Sequence, residues 1–192
     1  MRSIILSLIL ALVPVLHLAA EEFHVDKDRD NKVKFISDAP IEEFEGVTDY
    51  IDGYVYYEGG DLTNSSALYF EVDLNSIDTG IGLRNRHMRE NYLETDKKNY
   101  RFTHYNGKII EATPSGEGTY DVVTEGNLFI HGQTNKVQIR GTMHQENSHY
   151  HIHAEFEVKL SDYKIKIPSV MFYKIDENMQ LILDFYVKEH QE

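Results

Sequence analysis

Residues Asn75-Ser-Ile-Asp-Thr-Gly-Ile-Gly-Leu-Arg-Asn-Arg-His-Met88 differ sharply in character from the segment that leads into them. Leu68-Tyr-Phe-Glu-Val-Asp-Leu74 alternates strictly, with Leu68, Phe70, Val72 and Leu74 on one side and Tyr69, Glu71 and Asp73 on the other. That is the two-residue period of a half-buried strand. Gly80 and Gly82 break the pattern, and the polar run after them predicts a short helix over about residues 83–92. A strand, a Ser-Ile-Asp-Thr-Gly turn and a short basic helix thus follow one another without a break.

Working outward, the same alternation recurs. Ile51-Asp-Gly-Tyr-Val-Tyr-Tyr57 is one strand. Strands over 100–105 and 108–112 flank Asn106-Gly107, a strong hairpin-turn signal. Further strands are expected over 119–124, 127–131 and 136–143. In 150–160, Tyr150, Ile152, Ala154, Phe156, Val158 and Leu160 alternate with His151, His153, Glu155, Glu157 and Lys159. The last strand covers 181–188, with Leu181, Leu183, Phe185 and Val187 on one face. Seven to nine short antiparallel strands fit either a sandwich or a barrel, and periodicity does not separate the two. No Pro, Ser or Gly linker and no internal repeat divides the chain, so one all-β domain is expected over residues 21–192.

Residues 1–20 read as a secretory signal. Arg2 precedes an apolar run from Ile4 to Leu16, and Ala19-Ala20 follows it. The run covers about 13 positions, short of the ~20 that span a bilayer, so no stable membrane insertion is expected. The chain has no Cys, which removes a cysteine-linked lipid anchor and leaves an exported protein to be stabilised by packing alone. Formal charge is −13, and cleavage, by removing Arg2, takes it to −14. Such acidity opposes nucleic acid and anionic membranes and says little about an apolar ligand.

The 75–88 stretch resembles the YceI-like family of secreted, lipocalin-like barrels that bind polyisoprenoid lipids. Gly126-Asn-Leu-Phe-Ile-His-Gly-Gln-Thr-Asn-Lys-Val-Gln-Ile139 looks like that family's hairpin, and Val33-Lys-Phe-Ile36 looks like its first strand. The resemblance runs from about Phe23 to Val187. It implies an antiparallel β-barrel of about eight strands with one short helix, a periplasmic or secreted location, a long-chain isoprenoid lipid (a polyisoprenoid or prenyl quinone) as ligand, no required cofactor, and a homodimer. Two departures stand out. Lys98-Asn99 replaces the family's aromatic-proline step, and Val170-Met-Phe-Tyr173 follows a Ser161-Asp-Tyr-Lys-Ile-Lys-Ile-Pro168 run where a subgroup places small residues. An aromatic cluster there would narrow the lumen or form a dimer patch.

The inward-facing candidates are Phe35, Phe70, Val72, Phe102, Ile130, Ile139, Phe156 and Phe185. They either fill the core or line a tunnel for a hydrocarbon chain. Burying some 15 apolar carbons contributes about 12 kcal/mol gross, part of it offset by immobilising the ligand. Such a carrier needs little polar recognition and leaves no catalytic signature. Arg84, Arg86 and His87, with Arg89, share the candidate helix at i,i+3 spacings. They either bind a polar head group at the barrel mouth or pair with Glu90, Glu94 or barrel carboxylates.

His149, His151 and His153 lie on the polar face of one strand, and a His-x-His pair there is a plausible metal chelate, with His144 as a further member. A metal-binding protein is therefore the alternative to a lipid carrier. Asp26-Lys-Asp-Arg-Asp30 fails as a calcium loop, because Asn31 stands where Gly belongs and Ser37 where the bidentate Glu belongs; a solvated strand start is expected. Asn64-Ser-Ser66 is a formal glycosylation sequon. No nucleophile elbow, Walker loop or dinucleotide fingerprint is present, and no enzyme is expected.

Overall fold

The computed structural model describes residues 20–37, 43–167, 169–170 and 173–190. Nearly all of the expected leader, and Met171-Phe172 of the expected aromatic cluster, lie outside them. The strands are β1 (Ala20–Val25), β2 (Lys32–Ser37), β3 (Phe44–Thr48), β4 (Ile51–Glu58), β5 (Ala67–Asp73), β6 (Phe102–Gly116), β7 (Thr119–Ile130), β8 (Gln133–Glu146), β9 (His149–Lys159), the short pair β10 (Ser169–Val170) and β11 (Tyr173–Lys174), and β12 (Asn178–Glu189). Helix α1 (Gly82–His87) follows β5 and runs on as a single π turn, Met88–Tyr92.

Eight staves close a barrel. The order is β1-β4-β5-β6-β7-β8-β9-β12, each antiparallel to the next, and β12 pairs back onto β1. Closure removes the open edges that a sheet must otherwise guard. β2 and β3 lengthen two staves and add no layer. β12 meets β1 at Val25↔Val187 and β2 at Lys32↔Asp184, while β3 leads through Asp49 and Tyr50 into β4. The barrel expected from the family resemblance is therefore present, and β1 and β3 are strands that the alternation did not reveal.

The break between β1 and β2 lies at the supposed strand start. Asn31 donates its side-chain N–H to the Asp26 carbonyl (2.8 Å) and accepts from the Tyr186 amide (2.9 Å), while Lys188 Nζ donates to Asp26 Oδ1 (2.7 Å). Asp26 is buried. Burial opposes its charge, but the Lys188 and Asp28 hydrogen bonds outweigh that and hold its carboxyl below the usual carboxylate range. Residues 26–31 are thus a loop pinned by a buried carboxylate, with only Lys27, Asp28, Arg29 and Asp30 solvated.

Asn106-Gly107 is not a turn. It sits inside β6, with Asn106 opposite Asn127 and Gly107 opposite Gly126. A Cβ on Gly107 would lie 2.5 Å from the Tyr105 hydroxyl and 2.7 Å from the Glu125 carbonyl. These glycines allow a close approach between strands beneath the Tyr105 ring, and the two expected hairpin arms are one continuous strand. Residues 119–124 and 127–131 merge into β7 for the same reason. Asn99 adopts the left-handed backbone, with φ of 72°, so it makes a turn where the family places a proline.

Candidate functional site: an apolar cavity beneath a basic helix

Alternation turns one face of each stave inward, and the inward side chains leave a cavity of about 610 Å³. Phe35, Phe70, Val72, Ile130, Ile139, Phe156 and Phe185 all line it. Phe70 and Phe185 meet edge to face at 5.0 Å between ring centroids. Phe102 does not belong to this set. The register pairs Val72 with Thr103 and Phe70 with Tyr105, which turns residues 103 and 105 inward and Phe102 outward. Phe102 is 38% exposed and lies beneath the Arg101 guanidinium (5.0 Å), which itself pairs with Asp73 (2.6 Å).

The hydroxyls of Thr103, Tyr105 and Thr124 are satisfied within the wall. The Tyr105 hydroxyl donates to Thr124 Oγ1 (2.9 Å), and Thr103 Oγ1 donates to the Phe129 carbonyl (2.6 Å). Burial pushes the Tyr105 phenol up, so it stays neutral. A ligand in this cavity would meet methyl groups and ring faces, and hydrophobic burial would carry its affinity.

The 75–88 stretch forms the rim. Ser76 Oγ lies 2.5 Å from Thr48 Oγ1, and the Asp78 backbone bridges to Val47. Ile77 turns into the cavity. The Asn85 side-chain oxygen accepts from the Thr79 amide (2.8 Å) and hydroxyl (2.6 Å), and its Nδ2 donates to Asp78 Oδ1 (2.6 Å). Hydrogen bonds from Asn85 and the Gly80 amide hold the Asp78 carboxyl below its usual range. Gly80, with φ of +76°, completes the turn with nothing within 4 Å of a hypothetical Cβ. This knot seats α1 across the open end of the barrel.

Arg84 and His87 line the cavity at the rim, whereas Arg86 points into solvent. Arg84 donates from Nε to Thr79 Oγ1 (3.1 Å) and from Nη2 to the Thr79 carbonyl (2.9 Å), with its guanidinium 4.5 Å above the Phe44 ring. Arg89 donates to the Ile77 carbonyl (3.1 Å). Of the expected carboxylate partners, Glu94 is committed to Lys97 and His131, and the barrel's Asp73 to Arg101. Ile81 and Leu83 line the same opening while 49% and 54% exposed, so the rim is apolar and basic together.

With this barrel and rim in place, the model of the YceI-like domain matches residues 23–187. The chain belongs to the YceI-like family. Solved structures resembling this YceI-like barrel include BcnA of Burkholderia cenocepacia, 17% identical with a TM-score of 0.69 over 84% of this chain and 98% of that one. A polyisoprenoid binding domain from Saccharophagus degradans, implicated in plant cell wall breakdown, is 15% identical with a TM-score of 0.64 over 91% and 100%. The YceI protein of Campylobacter jejuni is 13% identical with a TM-score of 0.57 over 77% and 85%. At these identities the likeness is one of fold. No curated protein sequence matches the chain significantly.

The histidine face of this YceI-like barrel is divided. His151 Nε2 and His153 Nδ1 lie 2.9 and 3.2 Å from the two oxygens of Asp184, while His149 Nε2 lies 3.3 Å from Asp26 Oδ2. His144 contacts Thr119 Oγ1 (2.8 Å). Among the described residues no group of three or more His, Cys, Asp or Glu is placed to hold a metal ion. Nor is any described helix long and apolar enough to cross a membrane.

Sequence reasoning passed over His131. It is 6% exposed in the β7–β8 turn, with Nδ1 3.1 Å from the Tyr163 carbonyl and Nε2 3.1 Å from Glu94 Oε2. Both ring nitrogens thus face oxygen atoms of other segments. The contact ties the segment after α1 and the residues around Tyr163 to the barrel rim. No periodic signal marks a lone histidine in a turn.

Proposed function

We propose that this chain is an exported carrier or store for a long-chain apolar lipid of the polyisoprenoid or prenyl-quinone type, and not an enzyme. The lipid tail occupies the barrel interior and its head group rests at the rim beside Arg84 and His87, with Arg86 nearby. The observation that carries this reading is the cavity of about 610 Å³, walled mainly by aliphatic and aromatic side chains, with the Thr103, Tyr105 and Thr124 hydroxyls hydrogen-bonded within the wall. Ligand pockets of ~300–1,000 Å³ with apolar walls are the usual size and character for small-molecule binding. Kinship with a polyisoprenoid binding domain supports the choice of tail. Cleavage of residues 1–20, a periplasmic or secreted location and a homodimer belong to the same proposal.

Native mass spectrometry of protein purified from the exporting compartment, followed by organic extraction, tests it. A stoichiometric, extractable prenyl lipid on a chain lacking residues 1–20 is the expected result. A bare polypeptide mass, unchanged after incubation with prenyl lipids, would refute the carrier reading.

A further inference from the structure

The cavity opens at the α1 rim, where its most exposed lining residues, Ile81, Leu83 and His87, lie. At the other end of the staves Phe23, Val25, Tyr57, Tyr150 and Val187 are buried among the core residues, yet none lines the cavity. They form a floor. The Phe23 ring stacks on Tyr57 at 6.0 Å and meets Tyr150 edge-on at 5.0 Å. The Tyr57 hydroxyl donates to Glu21 Oε2 (2.9 Å) and lies 3.1 Å from the Tyr150 hydroxyl. Tyr57 is 2% exposed, and burial together with these hydrogen bonds pushes its phenol far up, so the floor carries no phenolate.

Three rings locked by packing and by linked hydroxyls do not yield as a lone methionine would. We propose that Phe23, Tyr57 and Tyr150 form a chain-length stop, so that the barrel encloses a tail of limited length and leaves the rest of a longer one in water at the rim. Taking ~30 Å³ for each water-sized group, 610 Å³ holds ~20 carbons, or about four isoprene units. This inference rests on the carrier reading and adds to it a size limit and the residues that set it.

The test is competition binding of geraniol, farnesol, geranylgeraniol and an eight-unit prenol to delipidated mature protein. Affinity should rise at least tenfold from farnesol to geranylgeraniol and change less than threefold on going to the eight-unit prenol. Tyr150→Ala removes part of the floor and should make the eight-unit prenol bind at least tenfold tighter than geranylgeraniol. Ala154→Phe fills the cavity from an inward position on β9 and should move the optimum down to farnesol, so the inference stays decidable should Tyr150→Ala fail to fold. Tyr150→Phe keeps the ring and should leave the order of ligands unchanged. An affinity that keeps climbing to the eight-unit prenol in the unmodified protein overturns the stop, as does an optimum that no folded variant moves. Failure of every prenol to bind, whatever its length, rejects the carrier reading itself and is a different result.

Discussion

Gly107 and Gly126 face each other across β6 and β7, and the Tyr105 side chain lies over both. A Cβ on Gly126 would sit 2.5 Å from the Asn106 carbonyl, 2.6 Å from Gly107 Cα and 2.7 Å from Tyr105 Cζ. Two of those three atoms are backbone and cannot step aside. Gly126→Ala should therefore lower stability by ~1–3 kcal/mol, read as a lower urea midpoint with an unchanged slope. An alanine variant as stable as the parent would show that the strands have room to part.

Asn85 joins the turn before α1 to the helix itself through Thr79 and Asp78. Asn85→Ala should cost ~1–2 kcal/mol and speed amide exchange at Thr79 and Gly80, leaving the β6–β9 amides protected. Uniform exchange across the barrel would mean that the rim does not open as a separate unit.

Arg84 already bonds Thr79 and still faces the opening. Arg84→Gln should weaken binding of a prenyl phosphate about tenfold, ~1.4 kcal/mol, while leaving the matching prenol within twofold. Equal losses for both ligands would assign Arg84 to holding the rim in shape and not to reading a head group.

His131 links the segment after α1 and the residues around Tyr163 to the barrel. His131→Leu leaves the buried Tyr163 carbonyl without its partner, at a loss of ~1–3 kcal/mol, and leaves Glu94 paired with Lys97 alone. Hydrogen exchange should rise over residues 88–100 and 160–165 together. A rise confined to the β7–β8 turn would contradict the role as a tie.

Asp184 receives both His151 and His153. Burial raises its carboxyl, but the two histidine hydrogen bonds prevail and hold it below the usual carboxylate range. A carboxylate depressed on folding adds stability above its unfolded pKa, and that stability is lost as pH falls through the folded pKa. Asp184→Asn should thus be less stable than the parent at pH 6, and the gap should close as pH falls through and below the usual carboxylate range. A gap that stays constant with pH would show that the histidines do not favour the carboxylate.

The inward set was legible wherever alternation ran long enough to settle its phase. β5 places three apolar residues on one face and β9 and β12 five each, and the cavity lining follows them. Residues 100–105 alternate with aromatics in both phases, so only pairing with β5 decided that Phe102 turns out and Tyr105 turns in. β1 and β3 escaped notice for a related reason. Each is short, and each is half of a stave whose other half lies beyond a loop.

Alternation, turn residues and the Ser-Ile-Asp-Thr-Gly stretch determined an all-β chain with a short basic helix, because a two-residue period and glycine punctuation are local properties. Barrel closure, the glycine pair within β6 and β7, the buried Asp26 and the His131 tie were decided by tertiary structure alone. Each depends on which atoms meet across staves far apart in the chain. Whether the interior is filled or hollow was settled in the same way, since an open volume of about 610 Å³ belongs to no residue and arises only where eight inward faces fail to meet.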